Sequence, residues 1–371
     1  MSSGAATAFA GIWLSEKGLS PEQIGVVNAL PIFALLIISL TIGRIADRAD
    51  DWRQVIIIGA LAGSVFPLGL FFVNGFWGIL LFWSLAAIAQ AATIPVADAA
   101  AMRFTRREGG DFGAVRAWGT VGYLLVIFLT GYLVKWFGSG MFLPLFVGVI
   151  FLRAAASLCL PNFRAPKEER APSLGANRLL QVMKPWFILP LLGWAIVFST
   201  HLILNAFQSL LFSKQGISPE VIGILIALGA ISETIMFFLF KRFSGKFPAR
   251  YFILLSSVVT VLRWIAMSYA PGVPVLIGLQ MLHSVTYALG FLGCINFIAN
   301  WTSEDIAAEA QSFFGILQQG MAVLALTAFG GLAGVWGAKA YLASAAFAAL
   351  GAFLVWVSLQ MKQPNDRDAR A

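Results

Sequence analysis

Long apolar runs alternate with short polar breaks along the whole chain. The runs lie near 1–15, 22–43, 55–73, 76–102, 113–136, 140–160, 185–212, 219–240, 251–270, 273–300, 307–336 and 338–360, each bounded by Gly, Pro or charge. Most exceed the roughly 20 residues a helix needs to cross a hydrocarbon core of about 30 Å. Their Phe, Leu and Ile content, interspersed with Gly and Ala, suits closely packed membrane helices. The residue-by-residue alternation of a strand barrel is absent. The first run is the exception: at about 1.5 Å per residue its ~14 residues reach only ~21 Å. The expectation is an all-α membrane protein of twelve helices whose helix 1 is truncated, the chain starting inside it.

One long polar stretch interrupts the pattern, PNFRAPKEERAPSLGANRLLQVMK at 161–184, and it divides the runs six to six. A repeat supports the division: GLSPEQIG at 18–25 recurs as GISPEVIG at 216–223, offset by 198 residues. In both copies Ser–Pro–Glu reads as a helix N-cap with Pro at the first helical position. Each is followed by an apolar span that ends in a basic loop, at Arg44 and at Arg242. The domains expected are a six-helix bundle over 1–160, a linker over 161–184, a second bundle over 185–362 and a tail over 363–371. The two bundles would derive from one duplicated unit and be related by a pseudo-two-fold axis, a plan that places a site at the membrane midplane between them.

Composition agrees with this pattern. Hydrophobic residues make up 59% and charged residues 11% of the 371, with a mean hydropathy of +0.85, against roughly 25% charged in soluble proteins. A soluble enzyme is excluded. The net charge of +8 raises the question of nucleic acid, but its placement answers it. Eighteen Lys and Arg lie in the loops after runs 2, 4 and 8, the 161–184 stretch and the tail, and four (Lys17, Lys135, Lys214, Lys339) lie in the alternate loops. That asymmetry is the positive-inside pattern. It sets the linker and C-terminus in the cytoplasm, with the N-terminus if helix 1 is complete. The loop after run 10 departs from the pattern, carrying Glu304, Asp305 and Glu309 without a cation. Cys159 and Cys294 both sit in apolar runs, which disfavours a disulfide or thiolate metal site. No cleavable signal sequence is visible after Met1.

The chemistry lies in the few charges inside apolar runs, since an ionisable residue in a bilayer costs several kcal/mol unless it is paired or lines a wet cavity. In TIPVADAAAMRFTRREGGDFGAVRAWGTVGY (93–123), Asp98 and Arg116 stand nine residues either side of Arg107 in a basic turn. On antiparallel helices they would lie at similar depth; the dull alternative is a structural ion pair. Arg116 and Tyr123 are seven apart, two turns, hence on one face. Glu233 lies mid-run with no cation within a turn of it, a candidate proton carrier or a hydrogen-bonded neutral carboxyl. Arg263 is mid-run too and could be its counter-charge. His201 and His283, the chain's two histidines, could be packed core residues. Arg153, near the end of its run, is expected to snorkel to the interface. Trp118, Trp264 and Tyr287 serve packing as readily as a ligand. The 198 offset carries Asp98 to Asn296.

With these residues in view the chain resembles the major facilitator superfamily. GRIADRADDWRQ at 43–54 is similar to that family's loop between helices 2 and 3, a Gly with Asp–Arg four residues on and then a further cation, although Asp50 stands where a second Gly is usual. The resemblance implies a gating role for Gly43, Asp47 and Arg48. Within the superfamily the chain looks like proton-linked symporters of the lactose, nucleoside and above all phenylpropionate permease type, on VRAWGTVGY (115–123), GLSPEQIG, SETIMFF (232–238), VLRW (261–264) and LQMLHS (279–284). It implies substrate binding by Asp98, Arg116, Tyr123 and His201, to which Trp118 and, through the repeat offset, Asn296 are added as candidates, and proton coupling by Glu233, Arg263 and His283. Three residues after His283 the lactose permeases carry a glutamate, and here the position is Thr286, which leaves Glu233 to serve.

The expected function is a secondary transporter of the cytoplasmic (inner) membrane that imports a small organic solute with protons by alternating access, an aromatic carboxylate such as phenylpropionate being favoured by the resemblance alone. Nucleoside or oligosaccharide symport and drug efflux are the alternatives within transport. A non-transporting sensor would be expected to carry a soluble domain, and a membrane enzyme would need a nucleophile–base pair or metal cluster that two distant histidines without HxxxH spacing do not offer. The partners expected are solute, protons and lipid, with no nucleic acid, no obligatory protein partner, no metal and no cofactor beyond the proton motive force.

Overall fold

The computed structural model describes residues 2–48, 51–94, 96–97, 100–101, 104, 108, 112–163, 183–302 and 304–362. These trace helices α1 (Ser2–Glu16), α2 (Pro21–Arg48), α3 (Trp52–Phe71), α4 (Phe76–Ala92), α5 (Phe112–Phe137), α6 (Phe142–Leu158), α7 (Pro185–Lys214), α8 (Pro219–Phe240), α9 (Ala249–Ser268), α10 (Val273–Trp301), α11 (Glu304–Trp336) and α12 (Tyr341–Leu359). Eight stretches among the described residues are long and apolar enough to cross a membrane. Large apolar side chains such as Phe72, Trp77 and Phe238 are more than three-quarters exposed, a surface suited to lipid rather than water. At 15 residues α1 falls below the usual spanning length.

The repeated octapeptide builds the same turn twice. Gly18 and Gly216, the first residue of each copy, both take a left-handed backbone, with φ of 83° and 79°, a region that carries little penalty only for glycine. Pro21 and Pro219 then open α2 and α8. At the first copy Ser20 and Gln23 form a reciprocal capping box: Gln23 N–H donates to Ser20 Oγ at 3.3 Å and Ser20 N–H to Gln23 Oε1 at 3.0 Å. Two helices are broken by π turns, α7 at Leu204–Gln208 and α10 at Ser284–Leu289. Such turns concentrate at functional sites.

The chain packs as two compact units, Met1–Glu168 with Leu204–Ala227, and Glu169–Ile203 with Leu228–Ala371. In the first, glycines let backbones approach closely. Ala206 O lies against Gly11 and Pro219 O against Gly131, so a larger side chain at either would press on a carbonyl. Lys135 Nζ pairs with Glu220 Oε1 at 3.0 Å. Trp83, Phe146 and Phe142 form a stacked column. At the start of α3, Asp51 Oδ1 accepts from Arg53 N–H at 2.9 Å and from Phe163 N–H at 3.0 Å. Arg53 reaches Leu158 O and Asn162 Oδ1, each at 3.0 Å, and so ties the end of α6 to α3. In the second unit α7 crosses α12 at Gly193 and Gly351 and packs Trp194 over Gly290 of α10. Arg250 of α9 donates to the Ser358 carbonyl at the end of α12.

Candidate functional site

Polar side chains inside the second unit gather on three helices. On α9, Ser256, Thr260 and Arg263 recur at intervals of four and three and share one face. All three are fully buried. On α10, Gln280, His283 and Thr286 recur every three residues, across the junction where the helix passes into its π turn. Glu233 lies on α8. The two stripes on α9 and α10 face each other. Arg263 Nη1 donates to His283 Nδ1 and to Thr286 Oγ1, each at 3.0 Å, and Nη2 donates to Gln280 Oε1 at 3.2 Å. The guanidinium also lies 5.1 Å from the Trp264 ring centre. A buried guanidinium needs acceptors for its donors; α10 supplies them to both Nη groups, while Nε is buried without a partner.

Those bonds fix a tautomer. A guanidinium can only donate, so His283 Nδ1 accepts and the ring proton sits on Nε2. That nitrogen is 3.6 Å from Glu233 Oε2, slightly beyond hydrogen-bonding distance. Glu233, His283 and Arg263 therefore form a line of one carboxylate, one imidazole and one cation across α8, α10 and α9. Both outer members of the contact are largely shielded, with side-chain exposures of 16% for His283 and 26% for Glu233. Neighbouring residues hold the line in register. Ser232 Oγ donates to the Gln280 carbonyl at 3.4 Å, and Gln280 Oε1 packs against Gly229. The Thr286 carbonyl accepts from Ser256 Oγ at 3.1 Å and from Thr260 Oγ1 at 3.2 Å.

Aromatic rings wall the cluster. Tyr287 stacks on His283 with ring centres 5.0 Å apart and on Phe291 at 6.4 Å, and Phe198 stands 5.8 Å from it. His201 of α7 lies 5.5 Å from His283, 5.7 Å from Tyr287 and 5.2 Å from Trp264, centre to centre. Trp264 Nε1–H donates to Thr200 Oγ1 at 2.8 Å, and its ring stacks on Tyr341 at 5.5 Å. Gln280, Thr200, Ser256, Thr260 and Tyr341 were absent from the sequence-based set. The stripe spacing on α9 and α10 was the readable signal for Gln280, Ser256 and Thr260; for Thr200 and Tyr341 there was none.

The other sequence candidates stand as follows. Asp98 lies outside the described residues. The backbone of Arg116 belongs to α5, and those of Gly43, Asp47 and Arg48 to α2, while the side chains of Arg116, Asp47 and Arg48 lie outside the described set. Tyr123 is partly buried on α5, and Trp118 is 74% exposed. Asn296 is partly buried near the end of α10 and accepts from Asn300 Nδ2 at 2.9 Å, within its own helix and apart from the Arg263 cluster. Arg153 is partly buried on α6. Its Nη2 turns to α4 and donates to Thr93 Oγ1 at 3.0 Å and Gln90 O at 3.3 Å. These acceptors lie in the last turn and at the C-cap of α4. Among the described residues no group of three or more His, Cys, Asp and Glu could hold a metal ion.

Comparison with known proteins agrees with the architecture. The MFS_1 like family matches residues 2–349. The probable 3-phenylpropionic acid transporter of Escherichia coli (strain K12) is 27% identical over 331 residues, covering 87% of this chain and 85% of that protein. The maltose permease of Geobacillus stearothermophilus is 21% identical, with 88% and 83% covered. Among solved structures, the nucleoside transporter NupG superposes with a TM-score of 0.82 at 18% identity over 97% of this chain and 96% of its own. A bacterial homologue of the human lysosomal transporter Spinster gives 0.73 at 16% identity, with 98% and 97% covered. The chain belongs to the MFS_1 like family and has the major facilitator fold. It is a multi-pass membrane carrier and not an enzyme.

Proposed function

We propose that this carrier couples the uptake of a small organic solute to protons by alternating access in the cytoplasmic membrane, and that its solute is an aromatic carboxylate of the phenylpropionate kind. The observation that carries the reading is the Glu233–His283–Arg263 line, with contacts of 3.6 and 3.0 Å inside one unit. A cation held at membrane depth by neutral acceptors leaves one carboxylate free to exchange a proton. Among the described residues, Glu233 is the one carboxylate of that unit with a described side chain. When Glu233 is protonated the cluster keeps the charge of Arg263, and when it is ionised the two cancel through His283. The protonation state thus changes the net charge that α8, α9 and α10 carry, and a change of that size can bias one arrangement of packed helices against another.

The aromatic part of the proposal rests on the rings of Tyr287, Phe198, Phe291 and Trp264 around the cluster and on the relative named for phenylpropionate. Arg263 has both Nη groups committed to α10, so the solute carboxylate is assigned to another cation, Arg116 being the sequence candidate. The cofactor is the proton gradient, and the partners are solute, protons and lipid. The test is uptake of labelled 3-phenylpropionate into energised membrane vesicles with and without a protonophore, with nucleosides and maltose as competitors. The reading expects accumulation that the protonophore abolishes and that phenylpropionate analogues compete. Accumulation insensitive to the protonophore would overturn the coupling, and competition by nucleoside or maltose alone would overturn the substrate.

A further inference from the structure

A second cavity lies in the same unit, between α11 and α12. α7 packs along both helices, which touch one another little, and the gap between them is a half-open cavity of about 290 Å³. Thr200 of α7 lines it, with Leu324, Ala328 and Leu332 of α11 and Ala343 and Ser344 of α12. Leu324 is 57% exposed and Ala328 is exposed, so the gap opens on the apolar outer surface that suits lipid. An apolar cavity of roughly 150 Å³ already holds benzene. This one is larger, and from Leu324 to Leu332 it follows α11 for about 12 Å. That reach suits a hydrocarbon chain better than a ring with a short tail.

One charge stands at its end. Lys339 is the only charged residue between Ala310 and Leu359. It is exposed in the turn Gly337–Ala340 that joins the two helices, one turn before Ala343. Among the sparse lysines of the alternate loops, Lys17 bonds Asn74 and Lys135 pairs with Glu220. Lys339 has no bond or ion pair among the described residues. Trp336, half-exposed, ends α11 beside the same turn, as aromatic residues do at a membrane–water boundary. Further along α12, Ser344 is 4% exposed and its Oγ has no partner. The other hydroxyl lining the cavity, that of Thr200, is engaged with Val197 O and Trp264 Nε1. A cation, then a hydroxyl roughly 8 Å further in, then an apolar wall repeat the order of phosphate, glycerol ester and acyl chain in a phospholipid.

We propose that this gap binds one anionic phospholipid, its acyl chain between α11 and α12, an ester carbonyl accepting from Ser344 Oγ and its phosphate at Lys339. The net charge of the lipid follows from a cation with no carboxylate in the same hairpin to neutralise it. The loop-charge asymmetry assigns the site to the non-cytoplasmic leaflet. The assignment does not depend on the solute or on the proton line through Glu233.

The test is native mass spectrometry of the whole chain released from detergent, titrated with phosphatidylglycerol and with diacylglycerol of the same acyl chains. Basic loops on the opposite face retain anionic lipid too, so wild type is compared with variants. Lys339→Gln is expected to weaken phosphatidylglycerol about fivefold at one site, the scale of one lysine facing an anionic lipid, and to leave diacylglycerol unchanged. Lys339→Arg is expected to keep the wild-type affinity. Ala328→Phe fills the gap from its exposed wall and is expected to remove that site for both lipids; Ala343→Phe, from the opposite wall, serves where the first does not fold. Phosphatidylglycerol binding equal in wild type and Lys339→Gln overturns the headgroup assignment. Binding of both lipids undiminished in a folded wall variant overturns the site itself.

Discussion

Replacing Glu233 by Gln removes one titratable oxygen and changes the side-chain volume very little. In the structure that oxygen faces His283 Nε2 at 3.6 Å, and His283 is fixed from its other side by Arg263 at 3.0 Å. An amide can still lie beside the imidazole, so the helices should hold together while the proton site is lost. One carboxylate carries one proton. A monoanionic solute moving with one proton transfers no net charge, so the pH gradient alone drives it. One pH unit is worth about 1.4 kcal/mol, or a tenfold accumulation. The wild type should therefore concentrate solute about tenfold per pH unit and respond little to membrane potential. The Gln variant should reach a ratio of about one and yet exchange labelled for unlabelled solute across the membrane, because exchange needs no net proton movement. The assay is paired: accumulation under an imposed pH gradient, and counterflow without one. Full accumulation by the variant would refute the assignment of the proton to Glu233. Loss of counterflow together with accumulation would point to binding rather than coupling as the role of that side chain. A wild type driven by potential at about 2.3 kcal/mol per 100 mV would refute the one-charge, one-proton count.

Thr286→Val should leave one Nη1 bond of Arg263 without its acceptor and cost about 1–3 kcal/mol, seen as a lower unfolding temperature in detergent, while Thr286→Ser should restore most of it. Gly290→Val should be worse tolerated than an equivalent change at Gly315. A Cβ at 290 would strike the Trp194 ring and Ser256 Oγ, whereas nothing lies within 4 Å of one at 315, and overpacking of this kind costs about 1–3 kcal/mol. Asp51→Ala removes the N-cap of α3 and the acceptor for Phe163 N–H together, and should destabilise by about 1–2 kcal/mol. Arg53→Ala, whose bonds to Asn162 and Leu158 are solvent-exposed, should stay within about 1 kcal/mol of wild type. The two thermal-shift measurements should rank in that order.

Much of the fold was legible because a bilayer leaves the chain few choices. An apolar run must close its own backbone hydrogen bonds in lipid, so its length gave the helices directly. The repeated octapeptide then marked where α2 and α8 begin, and Gly18 and Gly216 confirm it with the same left-handed turn. Arg263, His283 and Glu233 were readable as charges without an evident excuse for being in an apolar run. Their contacts were not. Arg263 could have served the solute, and only the geometry shows both of its Nη groups engaged by α10. Gln280 and Thr286 carry no charge and look like ordinary polar residues in a helix, although their spacing around His283 places them on a shared stripe. The π turns at Leu204–Gln208 and Ser284–Leu289 have no local signature such as Pro to announce them. Arg153 shows the converse limit. Its position near a helix end suggested a side chain directed to the interface, and its bonds to Gln90 and Thr93 at the end of α4, 63 and 60 residues away in sequence, could not be read from the chain.

The central claim is that solute and proton cross together through the cluster around Glu233. The most direct measurement follows pH in a weakly buffered suspension of de-energised proteoliposomes as solute is added. The account predicts an external alkalinisation of one proton per solute molecule entering, absent in the Glu233→Gln variant. Solute entry with no movement of protons in the wild type would contradict it.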